Sequence, residues 1–447
     1  MRSTNNIKNT FTLNSKITFD TKNSIKKKIQ KTDKSLLLLQ HLNERTKKLK
    51  SLKSFLIIHK SNLIKYIHLE VHKTIEESVG EFDYALEFVQ YSLSLISNYK
   101  FEKKIDSNKK LFFKSTGAVL AITPYNDPLA GMTRKIAPSI ASGSPLIMKT
   151  SSNCINLCKY LDDNLPKDLK NCIQFIFIKD KSLIDMTVQN EKIKVITFTG
   201  STSIGLKLDN IQTNHLQKKI LELGGINYAV IFDNYRLDNV IDEILTRKIK
   251  AAGQACSSIN KVFVNEAIKK DFEKKLISKI MNLSCGNVTL KNQPNFGPVI
   301  SKNHYKFLKK LETNSLKKGK LLARSNNLHN TDNLYPLTVV EVNINDSVFD
   351  NYETFGPLLG ISYFKNNDVI LKKLSKCNYS LVTYIFTKNK SLHKKIQSLN
   401  FGSIGINTTK IQSPSRPTGG NNLSGIGREG GVWGFEEFLT TVNYVGG

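Results

Sequence analysis

Short apolar segments alternate with helix-like segments along residues 117–231 of this 447-residue chain. The apolar segments are predicted strands and read GAVLAIT, SPLIMKT, CIQFIFI, KVITFTG, KKILELGG and NYAVIFD. Helix-like segments such as MTRKIAPSIASG and NCINLCKYLDDNL lie between them. Because a strand–helix–strand unit places its two strands parallel, this alternation predicts an α/β protein with a mostly parallel sheet and helices on both faces.

The segments on either side of this region have simpler patterns. Residues 35–95 repeat apolar positions at helical spacing and are predicted to be helices. The polar, Lys-rich residues 100–115 are predicted to form a protruding hairpin. After Cys256 strands and helices alternate again, more loosely, with KVFVN, LTVVEV, LLGISYF and YIFT as candidate strands. The chain is long enough for two or three domains.

The formal net charge of +29 raises the question of a polyanionic partner. Lysine supplies nearly all of it, since only eight of the 66 basic residues are arginine. Nucleic-acid readers rely on arginine and cluster their basic residues, whereas these lysines are spread along the chain. We therefore expect no nucleic-acid partner, with a polyanion-binding surface as the alternative. No apolar run approaches the roughly 20 residues of a membrane helix, so no membrane partner is expected.

The cysteines form no CxxC pair and no cluster with histidine at metal-ligand spacing. They are Cys154, Cys158, Cys172, Cys256, Cys285 and Cys377. Free thiols without a metal site are typical of a reducing compartment, so a cytoplasmic location is predicted. The basic N-terminal segment loosely resembles a transit peptide, but we interpret it as an ordinary N-terminal arm.

The segment FTGSTSIG, residues 198–205, leads a predicted strand into a predicted helix. A helix N-terminus presents free N–H groups and a partial positive charge, and glycine lets a ligand approach the backbone. The segment is therefore a candidate phosphate site. An ordinary helix cap at Ser201 and Thr202 is the alternative.

Two further segments place reactive side chains beside glycine. LELGG, residues 221–225, puts Glu222 at the end of a predicted strand, where ligands bind in α/β sheets. AAGQACSSIN, residues 251–260, surrounds Cys256 with small residues, which lets either the backbone pack tightly or a ligand reach the sulfur. Each has a structural alternative when taken singly: a solvated edge carboxylate for Glu222 and a small buried side chain for Cys256.

Taken together and in order, these segments resemble the aldehyde dehydrogenase superfamily. The match spans about residues 35–445 and rests on ITPYNDP, a strand ending in Lys149, FTGSTSIG, LELGG, GQAC, ETFGP and SGIGREGG. The resemblance implies a Rossmann-type dinucleotide-binding domain, an α/β catalytic domain and a small oligomerisation β-element. They are assigned, respectively, to residues 1–95 with 117–225, to 226–437, and to 96–116 with 438–447. Because an edge strand favours pairing, a homodimer or homotetramer is expected.

The resemblance also implies the roles of three catalytic residues. Cys256 is expected to be the nucleophile, whose thiolate adds to an aldehyde to give a thiohemiacetal. Asn126 is expected to donate its side-chain N–H to the developing oxyanion. After hydride transfer to the cofactor a thioester remains, and Glu222 is expected to activate the water that hydrolyses it. No metal is implied.

The cofactor implied by the resemblance is NADP or NAD. Its expected binding residues are Lys149, Ser152, Gly200, Ser201, Gly205, Glu353 and Phe355. Lys149 is expected to hold the adenosine ribose, and Glu353 the ribose on the nicotinamide side. NAD-using members often carry an acid three positions after the lysine, where this chain has Ser152. A hydroxyl there does not repel a 2′-phosphate, so the sequence favours NADP.

The substrate expectation rests on similarity to succinate-semialdehyde dehydrogenases. Arg134 matches an arginine that binds the substrate carboxylate in those enzymes, and Lys250 stands where they have a second arginine. Two cations beside an aldehyde pocket indicate a small anionic aldehyde. Asp127 departs from this pattern, because YNDP looks more like relatives that act on lactaldehyde or phosphonoacetaldehyde.

Two alternatives to the semialdehyde reading remain open. The first is a dehydrogenase for a phosphonate, phosphorylated or hydroxy aldehyde. The second, from another class, is a non-catalytic relative that acts as a binding protein. The intact set of Cys256, Glu222 and Asn126 argues against the second alternative, since a binding module needs none of the three.

Overall fold

The computed structural model describes residues 17–233, 236–289, 294–328 and 332–446. The helices in these ranges are α1 (Lys22–Leu39), α2 (Leu42–Ile58), α3 (Lys60–Val71), α4 (Ile75–Asn98), α5 (Pro128–Ser142), α6 (Ile155–Asn164), α7 (Ser182–Val188), α8 (Thr202–Asp209), α9 (Leu237–Ile249), α10 (Lys269–Met281), α11 (Lys302–Leu316), α12 (Ser347–Asn351), α13 (Asn367–Ser375), α14 (Ser391–Gln397) and α15 (Gly431–Glu436). Short 3-10 turns cover Ser152–Cys154, Lys250–Gly253 and Glu266–Ile268.

The strands in the same ranges are β1 (Glu102–Lys104), β2 (Lys109–Ser115), β3 (Ala118–Ile122), β4 (Leu146–Lys149), β5 (Ile173–Ile176), β6 (Ile193–Thr199), β7 (Lys218–Glu222), β8 (Asn227–Ile231), β9 (Ile259–Asn265), β10 (Ser284–Cys285), β11 (Lys320–Arg324), β12 (Asn326–Asn327), β13 (Thr338–Glu341), β14 (Leu358–Phe364), β15 (Tyr379–Ser380), β16 (Val382–Phe386), β17 (Ser403–Ile406), β18 (Asn421–Asn422), β19 (Gly425–Ile426) and β20 (Leu439–Val445). None of the described helices has the length and apolar character needed to cross a membrane.

The first large sheet has the strand order β19-β7-β6-β3-β4-β5. Strands β3 to β7 pair in parallel, and the short β19 is antiparallel to β7. Along β3, Val119 and Ala121 belong to one apolar core, and Leu120 and Ile122 belong to another. Alternate side chains therefore fill the cores on the two faces, which explains why the strand sequences read as continuous apolar runs. The predicted parallel α/β architecture is confirmed.

The second large sheet has the order β11-β13-β14-β9-β8-β16-β17. Strand β11 is antiparallel to β13, and the other neighbours pair in parallel. This sheet is also covered on both faces: on β8, Ala229 and Ile231 face one core, while Tyr228 and Val230 face another. The segments after Cys256, whose alternation is looser in the sequence, provide most of its strands.

A small antiparallel sheet projects from the two large ones. Strands β1 and β2 form the predicted hairpin, and β2 pairs along its whole length with β20, from Lys109 opposite Val445 to Ser115 opposite Leu439. All of β1 and most of β20 are exposed. The domain boundaries stay a prediction; strand β19, which lies within the range assigned to the catalytic domain, pairs with the first sheet.

Candidate active site

The carboxyl ends of β3, β4, β6 and β7 open into one cavity of about 500 Å³. The loop after β3 brings Asn126 to it, the end of β7 brings Glu222, and the turn before β9 brings Cys256. Ligands bind at this edge of parallel α/β sheets. The predicted residues that line the cavity are Asn126, Arg134, Lys149, Ser152, Gly200, Ser201, Glu222, Cys256, Glu353 and Phe355.

Two predicted residues lie outside this lining. Gly205 faces Leu223, whose side chain occupies the space that a Cβ on Gly205 would need, so this glycine lets α8 pack against the sheet. Lys250 lines a neighbouring cavity of about 690 Å³ together with Lys410. The positive charge of Lys250 still reaches the first cavity, because it helps to lower the pKa of Asp127.

The turn that carries Cys256 is tightly packed. Ala251 and Ala252 adopt left-handed backbone angles, with φ of 50° and 55°. The carboxylate of Glu77, at the start of α4, accepts the N–H of Ala251 at 2.6 Å and so holds this conformation. A Cβ on Gly253 would lie 2.5 Å from the backbone of the ETFGP turn. The small residues therefore serve both purposes left open by the sequence, since the backbone packs closely and Cys256 lines the cavity.

The groups around Cys256 shift the pKa of its thiol in opposite directions. Burial raises the pKa of the Cys256 thiol to about 12, and the positive charge of Arg134 acts in the other direction. The carboxylates of Asp127, Glu353 and Glu222 add to the upward shift in this pKa. Without ligands the thiol is therefore held protonated at neutral pH, and Arg134 is the nearby group that favours the thiolate.

The carboxyl group of Glu222 is buried and incompletely bonded. Burial raises its pKa well above the usual value, and the negative charge of Glu429 raises it further. Lys135 and Arg134 act in the opposite direction. Its Oε1 atom has no hydrogen-bond partner among the described residues. A raised pKa makes the Glu222 carboxylate a stronger proton acceptor than an ordinary glutamate, as a general base requires.

Lys135 and Glu429 form an ion pair close to Glu222. Neither residue was predicted from the sequence as part of the site. The Lys135 ammonium also donates to the hydroxyl of Thr197 at 2.8 Å, and that hydroxyl donates to Glu429 at 3.2 Å. Glu429 belongs to SGIGREGG, one of the segments that carried the resemblance, and Lys135 follows Arg134 in the predicted helix MTRKIAPSIASG. The sequence contains one signal for each: Lys135 is followed by apolar residues and Glu429 by two glycines. Both side chains are buried in the structure.

Arg134 lies on α5 with its guanidinium packed against two aromatic rings of α4. The guanidinium carbon is 5.7 Å from the ring centre of Tyr84 and 5.1 Å from that of Phe88. One nitrogen lies 3.9 Å from the carboxylate of Glu429, whereas Nε has no partner among the described residues. A buried guanidinium with an unpartnered N–H group suits an anionic ligand.

Asp127, next to the predicted oxyanion donor, also lines the cavity. Its Oδ1 lies 2.6 Å from the ammonium of Lys73, which lies 2.6 Å from the carboxylate of Glu81 as well. Burial alone would raise the pKa of Asp127, but Lys73, Lys250 and Arg134 together hold it below the usual range. The cavity wall therefore carries an ionised carboxylate close to the reactive thiol.

Glu353 lies between β8 and a buried lysine. It accepts the N–H of Gly225 at 3.3 Å. Burial raises the pKa of Glu353 to about 7, while the Gly225 N–H and the charge of Lys248 act against this rise. Lys248 is fully buried and donates to the hydroxyl of Thr354 at 3.1 Å. Burial lowers its pKa to about 7, and Glu353 opposes that shift.

The same cavity includes residues that fit a dinucleotide. Ser201 is the N-cap of α8 and makes no side-chain capping bond within the described residues, so the first N–H groups of this helix are open to a phosphate. A Cβ on Gly200 would lie 2.5 Å from the ring of Phe198, so only glycine fits at this approach. Lys149 and Glu353, the residues predicted to hold the two riboses, line the same cavity.

Comparison with known proteins gives concordant results. The sequence profile of the Aldehyde dehydrogenase family matches residues 12–444. A mitochondrial succinate-semialdehyde dehydrogenase of Oryza sativa subsp. japonica is 30% identical over 405 residues, which is 89% of this chain and 77% of that protein. A lactaldehyde dehydrogenase of Methanococcus maripaludis is 30% identical over 444 residues, or 96% of this chain and 94% of that protein. The crystal structure of the glyceraldehyde-3-phosphate dehydrogenase GapN of Methanocaldococcus jannaschii, complexed with NADP, is similar with a TM-score of 0.88 and 26% identity, and the match covers 96% of this chain and 95% of that one.

Proposed function

Because the chain belongs to the aldehyde dehydrogenase family, we propose that it oxidises a small anionic aldehyde to the carboxylic acid, with NAD(P)+ as the hydride acceptor. The family places it among the oxidoreductases that act on aldehydes. The observation that carries the more specific proposal is the meeting of Cys256, Glu222, Asn126 and Arg134 in one cavity. These residues come from separate parts of the chain, and each has a use in the same reaction.

Cys256 forms the covalent bond to the substrate. Its thiol loses a proton to solvent, and the thiolate sulfur adds to the aldehyde carbon to give a thiohemiacetal. The high pKa of the buried thiol favours the protonated form, so a positive group is needed nearby. Arg134 meets this need, since its charge acts to lower the pKa of the thiol.

Asn126 stabilises the charge that develops on the aldehyde oxygen. Its side chain is buried and lines the same cavity as Cys256, so its N–H group can point at the oxyanion without competing water. The backbone N–H of Cys256 is the second donor. Loss of one donor of this type costs about 10²–10³ in rate.

Glu222 completes the reaction by hydrolysis. The bound NAD(P)+ supplies the acceptor for the hydride that leaves the thiohemiacetal carbon, and Cys256 is then left as a thioester. The Glu222 carboxylate takes a proton from water, whose oxygen attacks the thioester carbon and expels the Cys256 thiolate. The unpartnered Oε1 and the raised pKa of Glu222 support this role.

The anionic character of the substrate follows from Arg134. Its Nε–H has no partner among the described residues, although the guanidinium is buried. A carboxylate or phosphate that accepted this N–H would satisfy it with a charge-assisted hydrogen bond. Lys250, in the neighbouring cavity, adds positive charge outside this site and would favour the approach of an anion.

The groups around the adenosine end support NADP over NAD. Ser152 lines the cavity with Lys149, and neither repels a 2′-phosphate. Burial lowers the pKa of Lys149, and the positive charge of Lys181 lowers it further, so a second cation lies close by. Two cations and a hydroxyl make a suitable environment for the additional phosphate.

The small antiparallel sheet is proposed as the surface that joins copies of the chain. Its outer strand β1 and most of β20 are exposed, and an open strand edge offers unpaired N–H and C=O groups to a neighbour. We expect a homodimer or homotetramer, to be established by light scattering of the purified protein.

The proposal is tested with a panel of aldehydes, each supplied with NAD+ and NADP+ in parallel. Succinate semialdehyde, phosphonoacetaldehyde and lactaldehyde separate the substrate classes by their kcat/KM values. We expect NADPH formation with at least one anionic aldehyde and none with Cys256→Ala. Turnover that survives this substitution would refute the mechanism, and cofactor binding without turnover of any aldehyde would support the non-catalytic alternative.

A further inference from the structure

Asp127 is a charged group in the reaction cavity that the mechanism above does not use. It follows the oxyanion donor Asn126 directly in the chain and lines the cavity together with Cys256 and Arg134. Its side chain is 32% exposed, although the lysine that pairs with it is buried. A carboxylate placed this close to the reacting carbon will contact any substrate that fills the cavity.

Within the described residues, one carboxylate oxygen of Asp127 accepts a side-chain hydrogen bond. Lys73 donates to Oδ1 at 2.6 Å, and the hydrogen bonds that Asp127 accepts from side chains in the described residues all go to that atom. The second oxygen, Oδ2, is therefore left to accept a further hydrogen bond, and the residue lines the cavity. Since the carboxylate is held in place by a buried ammonium, Oδ2 is a fixed acceptor rather than a mobile one.

Asp127 pairs with the buried Lys73 but does not cap the helix at whose start it stands. Asp127 stands at the N-cap of α5, but its side chain makes no capping bond. Glu81 does this instead, because its Oε1 accepts the N–H groups of Leu129 at 2.8 Å and Ala130 at 3.3 Å. The same Glu81 already pairs with Lys73. Lys73 thus has two carboxylate partners, and of these two Asp127 is the one that lines the cavity.

The charges around Asp127 decide which kind of donor it can bind. Arg134, Lys250 and Lys73 all act on this carboxylate, and they hold it ionised. The same three cations would repel a substrate ammonium group. A neutral hydroxyl avoids that repulsion and can donate its O–H to Oδ2.

We propose that Asp127 selects aldehydes that carry a hydroxyl group close to the aldehyde carbon, while Arg134 receives an anionic group at the other end. The inference rests on the proposed function and narrows its substrate class to hydroxy aldehydes with a carboxylate or phosphate. Asp127 acts on specificity and binds no reacting atom. It therefore changes how the enzyme ranks its substrates.

The test compares aldehydes that differ by one hydroxyl group. The neutral pairs are glycolaldehyde with acetaldehyde and lactaldehyde with propanal; the charged pair is glyceraldehyde 3-phosphate with its 2-deoxy analogue. Wild-type protein should prefer the hydroxylated member of each pair in kcat/KM. Asp127→Asn should reduce that preference by about ten- to a hundredfold, because a hydrogen bond to a charged acceptor is lost. The lost charge also acts on the Cys256 thiol, but that effect falls on both members of a pair alike, so the ratio within each pair reports the hydroxyl contact.

Asp83→Asn is the matched control, because it also removes one carboxylate paired with a lysine, on the exposed side of α4. It should leave the hydroxyl preference unchanged. If Asp127→Asn does not fold, as judged by thermal melting, inhibition of the wild-type protein by product analogues replaces it. Lactate should then inhibit at least about tenfold more strongly than propionate.

The outcomes separate the two proposals. A wild-type protein that oxidises both members of each pair equally well, or an Asp127→Asn protein that keeps the preference, overturns the role of Asp127 alone. Equal inhibition by lactate and propionate does the same. A wild-type protein that reduces no NAD(P)+ with any aldehyde overturns the proposed function, and the role of Asp127 with it.

Discussion

The side-chain amide of Asn227 donates to the backbone carbonyl of Cys256 at 2.6 Å. The same amide donates to the carbonyl of Ser258 at 2.8 Å, and its oxygen accepts the N–H of Val382 at 3.2 Å. Asn227 is fully buried at the start of β8. One side chain therefore fixes the turn that carries the thiol to β8 and β16 of the second sheet.

Asn227→Ala is expected to loosen the Cys256 turn. It leaves two buried carbonyl groups without donors, at a cost of about 1–3 kcal/mol each, and it frees the sulfur from its position. We expect a lower melting temperature and a lower kcat, measured by thermal unfolding and by aldehyde turnover. Asn265→Ala, which removes a half-buried asparagine that caps a short 3-10 turn, should change both far less. Equal effects of the two substitutions would show that Asn227 does not position the turn.

Glu222→Gln is expected to stop the reaction after the first half. An amide can occupy the same space but cannot accept a proton from water, so the thioester should persist. We expect a burst of about one NAD(P)H for each active site, followed by turnover at least about a hundredfold slower than in wild type. Rapid-mixing absorbance at the nicotinamide band measures both phases. Cys256→Ala should give neither phase, and sustained turnover by Glu222→Gln would exclude Glu222 as the base.

The sequence predicted several residues of the cavity lining because the end of a buried strand can be located where an apolar run stops. Lys149, Gly200 and Glu222 each follow an apolar run, and parallel strands bring their carboxyl ends to one edge. The conformation at Ala251 could not be predicted in this way. Ala251 and the next residue both have positive φ, which turns the chain after Lys250. The spacing of apolar residues in the sequence does not predict this turn. This explains why a lysine placed by its distance from Cys256 lies in the neighbouring cavity.

The charged pairs were harder to predict because they depend on contacts between distant segments. Lys135 and Glu429 are 294 residues apart, and they meet only when α5 packs against the segment before α15. Lys73 and Asp127 are 54 residues apart and join through the buried start of α5. Lysine is normally a surface residue. A carboxylate partner from a distant segment is what makes the burial of each of these lysines tolerable.

Glu429→Gln is expected to shift the pH dependence of turnover to lower pH. Glu222 acts as a base only when ionised, so kcat falls on the acid side as it becomes protonated. The negative charge of Glu429 helps to raise the pKa of Glu222, and its removal leaves the opposing charge of Lys135 uncompensated. Both changes lower the pKa of Glu222. The acid limb of the kcat profile should therefore move to lower pH.

Glu437→Gln serves as the control for this shift. Glu437 also lies beside Arg428, whose N–H it accepts at 3.1 Å, and it pairs with Lys218. It is not among the charges that shift the pKa of Glu222. Its profile should match that of wild type, and a profile of Glu429→Gln that moves to higher pH would contradict the electrostatic argument.

Ser152→Asp is expected to turn the cofactor preference toward NAD+. A carboxylate at this position of the cavity would repel a 2′-phosphate and accept hydrogen bonds from the free ribose hydroxyls. We expect the ratio of kcat/KM for NADP+ over NAD+ to fall at least about tenfold. Asn153→Asp adds the same charge at an exposed neighbouring position outside the cavity lining, and it should alter the ratio much less. An unchanged ratio in Ser152→Asp would place the adenosine ribose elsewhere.

Lys248→Met is expected to make cofactor binding more sensitive to acid. The fully buried ammonium of Lys248 opposes the rise that burial imposes on the pKa of Glu353, which stands at about 7 with the lysine present. Without that charge the pKa of Glu353 rises, so at neutral pH a larger share of the carboxyl group is protonated. A protonated carboxyl group is a weaker acceptor for ribose hydroxyls. The KM for the nicotinamide cofactor at pH 7 should rise by about three- to tenfold, whereas at pH 9 it should lie close to the wild-type value. Lys261→Met is the matched control, because it removes another fully buried lysine, one that bonds to the carbonyls of Asn343 and Ile344. This control should lower the melting temperature without changing how KM depends on pH.

The same KM increase at pH 7 and pH 9 in Lys248→Met would mean that the lysine supports the site by packing and not by its charge.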